Sequence, residues 1–159
     1  MKTSRKIAIV AVFVALNVAL SFVLHVPTPT GYVNLTDAGI FVAALVFGRT
    51  IGGLVGALSG MLLDLILGYP QYALWSLLAH GVEGYLVGSL RRGNTILRVV
   101  GMVLGGIWMV AVYANAEMVL SKSVAAGWAT IPANLMQAGV GLIVALILVP
   151  LVQRATKRL

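Results

Sequence analysis

The chain has 159 residues, of which 60% are hydrophobic and only 9% are charged. A water-soluble fold carries about 25% charged residues, so this composition excludes a soluble globular protein. The net charge of +7 comes from short basic runs between apolar segments, which indicates a membrane topology signal and excludes nucleic-acid binding. The chain has no cysteine and two histidines without HExxH spacing, so we predict no disulfide, thiol chemistry or metal site.

Six apolar segments predict an all-α integral membrane protein with six transmembrane helices, in one domain over residues 1–159. In chain order they are Ile7–Leu24, Ala38–Phe47, Ile51–Leu67, Tyr72–Leu90, Ile96–Leu120 and Ile131–Val152. A membrane-crossing helix needs about 20 apolar residues. The second segment is shorter, so we expect it to extend into residues 31–37, to tilt or to be partly re-entrant. The first segment is too long for a signal-peptide core and lacks a clear cleavage pattern.

Basic residues alternate strongly between the two sides of these predicted helices. One side carries ten of the eleven, which are Lys2, Arg5, Lys6, Arg49, Arg91, Arg92, Arg98, Arg154, Lys157 and Arg158. The other side carries only Lys122. Because cytoplasmic loops are enriched in Lys and Arg, we predict a multi-pass protein of the cell inner (plasma) membrane with both termini cytoplasmic. The outer loops are then residues 25–37, 68–71 and 121–130.

Small residues recur at every fourth position on two of the predicted helices. Helix three carries Gly48, Gly52, Gly56 and Gly60, and helix one carries the series Ala11, Ala15 and Ala19. Such faces allow close helix approach in membranes. They predict packing within the bundle, or a surface for another subunit.

Most polar side chains lie in the outer half of the predicted helices, which indicates a cavity open to the outside. The candidate substrate-binding residues are Tyr32, Asn34, Asp64, Tyr69, Gln71, Trp75, His80, Glu83, Tyr113, Glu117, Asn134 and Gln137. Placing an acidic side chain inside a membrane costs free energy, so each such residue is expected to have a structural or functional role. Depth along the helices places Asp64 and Glu117 near the outer surface and Glu83 near the midplane.

Other roles for these residues stay open. Tyr69, Trp75 and Trp128 have the positions of interfacial aromatic anchors. Asp37 suits the N-terminus of helix two as a cap. His80 and Glu83 are spaced to pair with each other on one helix face, and Asn134 and Gln137 suit hydrogen bonds between helices.

Several segments together resemble a known transporter family. They are residues 31–40 (GYVNLTDAGI), residues 47–56 (FGRTIGGLVG), Asp64, residues 67–69 and the HGVEG segment at 80–84. The chain resembles the substrate-binding S component of an energy-coupling factor (ECF) vitamin transporter, of the riboflavin-type branch. Helices five and six resemble that family only in size and hydropathy.

The resemblance implies a transporter subunit, not an enzyme. It would bind a water-soluble vitamin from outside and dock on a membrane T subunit with two cytoplasmic ATPases. Those partners would use ATP, and this chain would bind no cofactor. The Ala11, Ala15 and Ala19 series matches the family's docking motif, and residues 25–37 match the loop that covers the ligand.

The outer polar set contains three acids and one lysine, which disfavours an anionic vitamin. It favours a neutral or weakly basic ring such as pyridoxine or hydroxymethylpyrimidine, while riboflavin needs a larger pocket. Three other classes remain: a stand-alone ion-coupled carrier using Asp64 or Glu83, an intramembrane enzyme using Asp37 and Asp64, and an assembly protein without ligand.

Overall fold

The computed structural model describes residues 2–28 and 31–156. Over these residues the chain forms six α-helices, one two-stranded hairpin and one 3-10 turn. They are α1 Thr3–Val23, β1 His25–Thr28, β2 Gly31–Asn34, α2 Thr36–Phe47, α3 Arg49–Leu67, the 3-10 turn Pro70–Tyr72, α4 Ala73–Ser89, α5 Thr95–Ser121 and α6 Val124–Thr156. The predicted roles of Lys157 and Arg158 fall outside the described residues.

The all-α membrane fold predicted from hydropathy is confirmed. Four of the described helices, α1, α3, α5 and α6, are long and apolar enough to cross a bilayer. Helix α4 has 17 residues and α2 has 12. At about 1.5 Å per residue, α2 is roughly 18 Å long and is shorter than the hydrocarbon core.

Helix α2 is enclosed by the rest of the bundle, which explains how a short helix is accommodated. It packs against α3, α4 and α6, and Ile40, Phe41 and Ala44 are completely buried. It begins at Thr36, two residues before the predicted start. Of the alternatives considered, extension into residues 31–37 holds only as far as Thr36, because Gly31–Asn34 forms a strand.

The predicted outer loop at residues 121–130 is mostly helical. Helix α6 begins at Val124 rather than Ile131, and the Ser123 hydroxyl accepts a hydrogen bond from the Ala126 amide. A Cβ on Gly127 would lie 2.5 Å from the Ala114 carbonyl oxygen. The first turns of α6 therefore pack directly on α5, and Lys122, with φ of 54°, makes the tight connection.

The first predicted outer loop contains an antiparallel hairpin. Val26 pairs with Val33 and Pro27 with Tyr32. The sequence analysis predicted a loop here and did not predict strand pairing. Pro29 and Thr30 lie outside the described residues.

The glycine series of α3 packs on α4. A Cβ on Gly56 would lie 2.0 Å from the carbonyl oxygen of His80, and one on Gly60 would lie 2.6 Å from the His80 ring. Only glycine permits this backbone approach. The contact brings α3 and α4 together beside Asp64 and His80, where the polar cavity lies.

Helix α1 lies at the edge of the bundle, against α3 and α2. Ala11, Ala15 and Ala19 are exposed and line a shallow apolar groove with Leu62 and Ile66 of α3. The alanine series is therefore exposed on the surface of the bundle, beside α3.

Candidate functional site

A small cavity of about 60 Å³, lined mainly by polar side chains, lies at the end of the bundle where α3 finishes. The hairpin, the 3-10 turn and helices α3 to α6 all contribute to its wall. Nine predicted site residues line it: Tyr32, Asn34, Asp64, Tyr69, His80, Tyr113, Glu117, Asn134 and Gln137. The structure thus brings together most of the candidates, from five separate elements and the turn.

The turn after α3 places two tyrosines at the cavity. Helix α3 ends at Gly68, whose φ of 85° requires the left-handed conformation that glycine adopts readily. The Tyr69 amide then donates to the Asp64 carbonyl at 2.8 Å, and the Tyr72 amide donates to the Tyr69 carbonyl at 2.9 Å. Both phenol rings line the cavity as a result.

Asp64 is the centre of a hydrogen-bond network in the cavity wall. Its carboxylate is 3% exposed and accepts from the Tyr32 hydroxyl at 2.5 Å. Its second oxygen accepts from the Ser76 hydroxyl. Burial raises the pKa of the Tyr32 hydroxyl above its ordinary value of about 10, and the nearby Asp64 carboxylate raises it further.

The network continues from Ser76 towards the floor of the cavity. The Ser76 and Tyr113 hydroxyl oxygens are 2.6 Å apart, and Tyr113 Oη is 3.2 Å from His80 Nε2. Three helices, α3, α4 and α5, therefore share one chain of hydrogen bonds from Asp64 to His80.

Glu117, on α5, is the second carboxylate in the wall. It is 8% exposed and accepts a hydrogen bond from the Tyr72 hydroxyl. Burial raises the pKa of Tyr72, and the hydrogen bond to Glu117 adds to this rise. Both tyrosines thus remain neutral donors to carboxylates near neutral pH.

Gln137, on α6, connects the hairpin to the protein interior. Its Oε1 accepts from the Asn34 amide at 2.9 Å, and its Nε2 donates to Asp37 Oδ1 at 3.1 Å. Asn34 also caps α2, because its Oδ1 accepts from the Thr36 amide at 2.6 Å. Asp37 lies in the first turn of α2, as the capping alternative required, but its carboxylate makes no cap hydrogen bond and accepts from Gln137 instead.

Asp37, His80 and Glu83 form a cluster beneath the cavity. His80 Nδ1 lies 2.8 Å from Glu83 Oε2 and 3.6 Å from Asp37 Oδ1. The predicted His80–Glu83 pairing is confirmed. Only His80 of these three lines the cavity.

Three predicted site residues do not reach the cavity. Gln71 is exposed in the 3-10 turn, and Trp75 packs with Ala79 and Met109 in an apolar cluster. Glu83 is buried below the floor. Adjacent positions in a helix or turn point in different directions, and the sequence did not resolve which ones face inward.

The sequence analysis omitted several residues that complete the site. Thr36 and Thr130 line the cavity, and Ser76 joins Asp64 to Tyr113. Ser76 lies four residues before His80, on the same helix face, and this spacing was the available signal. Hydroxyls are common in membrane helices, so their presence alone carries little information.

Neutral hydroxyls and amides around two carboxylates, in a cavity within a membrane helix bundle, define a binding site for a small polar molecule. Nothing in this arrangement is covalent or catalytic machinery. The fold and the cavity together define a membrane protein that binds a small ligand.

Comparison with known proteins identifies the family. The family described as "ECF-type riboflavin transporter, S component" matches residues 1–154. The thiamine precursor transporter HmpT of Lactococcus lactis subsp. cremoris (strain MG1363) is 32% identical over 158 residues, covering 96% of this chain and 90% of the relative. An "uncharacterized protein in gap 3'region" of Pyrococcus woesei is 39% identical over 99 residues, covering 61% of this chain and 66% of that relative.

A solved S component of a bacterial ECF transporter has the same fold. Its TM-score is 0.73 at 17% identity, with 98% of each chain covered. The chain belongs to the ECF-type S component family, and the resemblance inferred from residues 31–84 is confirmed. It is a substrate-binding transporter subunit and not an enzyme.

Proposed function

We propose that this S component binds a small, neutral or weakly basic aromatic ring that carries hydrogen-bond donors. Hydroxymethylpyrimidine, a thiamine precursor, is the favoured ligand. Pyridoxine is the second candidate, and riboflavin the third because its ring system is larger.

The charge of the cavity carries this proposal. Among the described lining residues there are two carboxylates, those of Asp64 and Glu117, and no Lys or Arg. An anionic vitamin would meet repulsion and no cationic partner. A ring bearing an amino group and a hydroxyl would instead donate to these carboxylates, and charge-assisted hydrogen bonds of this kind are strong.

The aromatic side chains support a ring-shaped ligand. Tyr32 and Tyr69 have ring centroids 5.4 Å apart and both line the cavity, as does Tyr113. Aromatic rings favour offset or edge-to-face contacts with other rings. The Lactococcus relative is a thiamine precursor transporter, which agrees with a pyrimidine ligand.

Isothermal titration calorimetry on the detergent-purified chain tests this. Hydroxymethylpyrimidine, pyridoxine, riboflavin and the anion pantothenate are titrated separately, without ATP or an ion gradient. Hydroxymethylpyrimidine is expected to bind most tightly and pantothenate to give no heat. Tightest binding of pantothenate or riboflavin would contradict the proposed ligand class.

We further propose that the groove of Ala11, Ala15 and Ala19 docks on the membrane T subunit of an ECF module with two cytoplasmic ATPases. The exposure of these alanines and the apolar character of the groove support this, as does family membership. Uptake into proteoliposomes is expected only with the full module and ATP. Uptake by this chain alone, driven by an ion gradient, would support the stand-alone carrier instead.

The basic residues support a membrane orientation. Lys6, Arg49, Arg91 and Arg92 line one groove at the end of the bundle opposite the cavity, and the positive-inside rule favours a cytoplasmic location for that end. We propose the plasma membrane as location, with both termini cytoplasmic and the cavity outward. Cysteine labelling with a membrane-impermeant reagent at exposed Ser4 and Ser121 tests this: only Ser121→Cys is expected to react in intact cells.

A further inference from the structure

The buried cluster of Asp37, His80 and Glu83 is not explained by vitamin binding. Its three side chains come from α2 and α4 and are at most 3% exposed. One donor atom from each lies within 4.8 Å of the other two. Gln137 and Tyr113 hold the cluster from α6 and α5.

Each carboxylate of the cluster has one oxygen without a hydrogen-bond partner. These are Asp37 Oδ2 and Glu83 Oε1, and both are buried. Asp64 differs, because both of its oxygens accept hydrogen bonds. Buried polar atoms are nearly always paired, and an unpaired carboxylate is expensive.

No basic side chain neutralises these two acids. Throughout residues 2–28 and 31–156, the carboxylate ion pairs involve His80 alone. A single imidazole cannot balance two carboxylates, so the cluster has an excess of negative charge. Inside a membrane bundle such a charge must be neutralised, either by protons or by a bound cation.

The direction of the hydrogen-bond chain determines which nitrogen of His80 carries the proton. Ser76 donates its one hydrogen to Asp64, so the hydrogen between Ser76 and Tyr113 comes from Tyr113. Tyr113 then only accepts from His80, which must carry its proton on Nε2. In neutral His80 the Nδ1 lone pair therefore faces the carboxylates of Glu83 and Asp37.

Three electron-pair donors thus lie within 4.8 Å of one another, which is close enough for all three to contact one metal ion. One imidazole nitrogen with two carboxylates suits divalent transition metals such as Zn²⁺, whose bonds to N and O are about 2.0–2.2 Å. The contact of His80 Nε2 with Tyr113 and that of Asp37 Oδ1 with Gln137 orient the ligands, as outer partners commonly do.

We propose that Asp37, His80 and Glu83 bind one divalent transition-metal ion through His80 Nδ1 and one oxygen of each carboxylate. The sequence analysis predicted no metal site because it considered only spacing along the chain. The HxxE pair is local, but Asp37 joins it only through packing of α2. His80 also lines the cavity floor, which gives the ion a route from outside.

The test uses purified full-length protein stripped of metal with EDTA, and no vitamin. Equilibrium dialysis against Zn²⁺, with metal content read by mass spectrometry, is expected to give about one zinc per chain. Cobalt substitution is expected to give visible d–d absorption. If folded wild-type protein binds no zinc, or gives no cobalt spectrum, the proposal is overturned. That result is expected if protons, and not a metal ion, neutralise the two acids.

Variants locate the ion. Glu83→Gln and Asp37→Asn keep side-chain size and are each expected to weaken zinc binding at least tenfold. Gln71→Ala is the control, since Gln71 is exposed and lies outside both the cluster and the hydrogen-bond chain to His80, and it is expected to retain wild-type zinc affinity. Equal binding by all three variants would place the metal elsewhere and refute the assignment. Calorimetry with the vitamin is run separately, so each proposal fails or stands independently.

Discussion

Tyr32 of the hairpin donates a 2.5 Å hydrogen bond to Asp64 of α3. The segment that covers the cavity is thus attached to the carboxylate inside it. A second attachment joins the Asn34 amide to Gln137 of α6. Ligand entry therefore requires these two contacts to break or to rearrange around the ligand.

Removing the charge of either wall carboxylate is expected to weaken vitamin binding. Asp64→Asn and Glu117→Gln each replace a charged acceptor, and losing such a hydrogen bond costs about 1.5–3 kcal/mol, or roughly ten- to a hundredfold in affinity. Calorimetry with hydroxymethylpyrimidine measures this. Gln71→Ala, at an exposed position outside the cavity, is expected to bind as wild type. Wild-type affinity in both acid variants would mean that these carboxylates are structural.

Loosening the hairpin is expected to accelerate ligand release. Tyr32→Phe removes the hydrogen bond to Asp64 while retaining the ring, and dissociation should be several-fold faster by stopped-flow fluorescence. A spin label at exposed Val26→Cys should lose mobility when ligand is added to the wild-type background. The same label should stay more mobile in Tyr32→Phe. Unchanged label mobility at saturating ligand would indicate a static hairpin.

The helix bundle was predictable from the sequence because hydropathy and the positions of basic residues are local features of the chain. Helix α2 was predicted to be too short to span, and its enclosure by α3, α4 and α6 agrees. The glycine series of α3 correctly indicated close packing, which the contact of Gly56 with His80 confirms.

Contacts between segments that are distant along the chain could not be predicted from the sequence. Gln137 meets Asp37 across 100 positions of the chain, and no local pattern indicates this pair. The early start of α6 was missed because Gly127 is a weak helix former, and its packing against α5 outweighs that preference. Trp75 was predicted to lie in the site because its indole can form a hydrogen bond, whereas its ring packs in an apolar cluster.

Tyr32 should stabilise the fold up to alkaline pH. Its pKa is raised in the folded protein, so its contribution is fully present below its unfolded pKa of about 10. The contribution is lost as pH rises through the folded pKa. The stability difference between wild type and Tyr32→Phe, from thermal melts in detergent, is expected to be constant from about pH 7 to 9 and to shrink above about pH 10. A stability difference that stays constant above about pH 10 would contradict a raised pKa of the Tyr32 phenol in the folded protein.

Adding one methyl group between α3 and α4 should destabilise the bundle. In Gly56→Ala the new Cβ would lie 2.0 Å from the His80 carbonyl oxygen, so the helices must separate. Overpacking of this kind costs about 1–3 kcal/mol. Gly139→Ala on α6 is the control, because nothing lies within 4 Å of the added Cβ. Thermal melts should show a lower midpoint for Gly56→Ala only.

A bulky residue in the groove of α1 should block assembly without affecting the cavity. Ala15 is exposed and lines the groove with Ala11 and Ala19, at the opposite side of α3 from α4. Close helix approach needs small side chains, so Ala15→Trp is expected to abolish co-purification with the T subunit and ATP-driven uptake. Hydroxymethylpyrimidine affinity should stay within about twofold of wild type, since no polar contact changes.

Leu16→Trp gives the matched control for this prediction. Leu16 is 57% exposed and lies next to Ala15 but outside the groove, so a tryptophan there faces lipid. It is expected to assemble and transport normally. If Ala15→Trp co-purifies at wild-type yield, the groove is not the docking surface. If both variants lose assembly, the effect is one of helix bulk in the membrane and not of the groove.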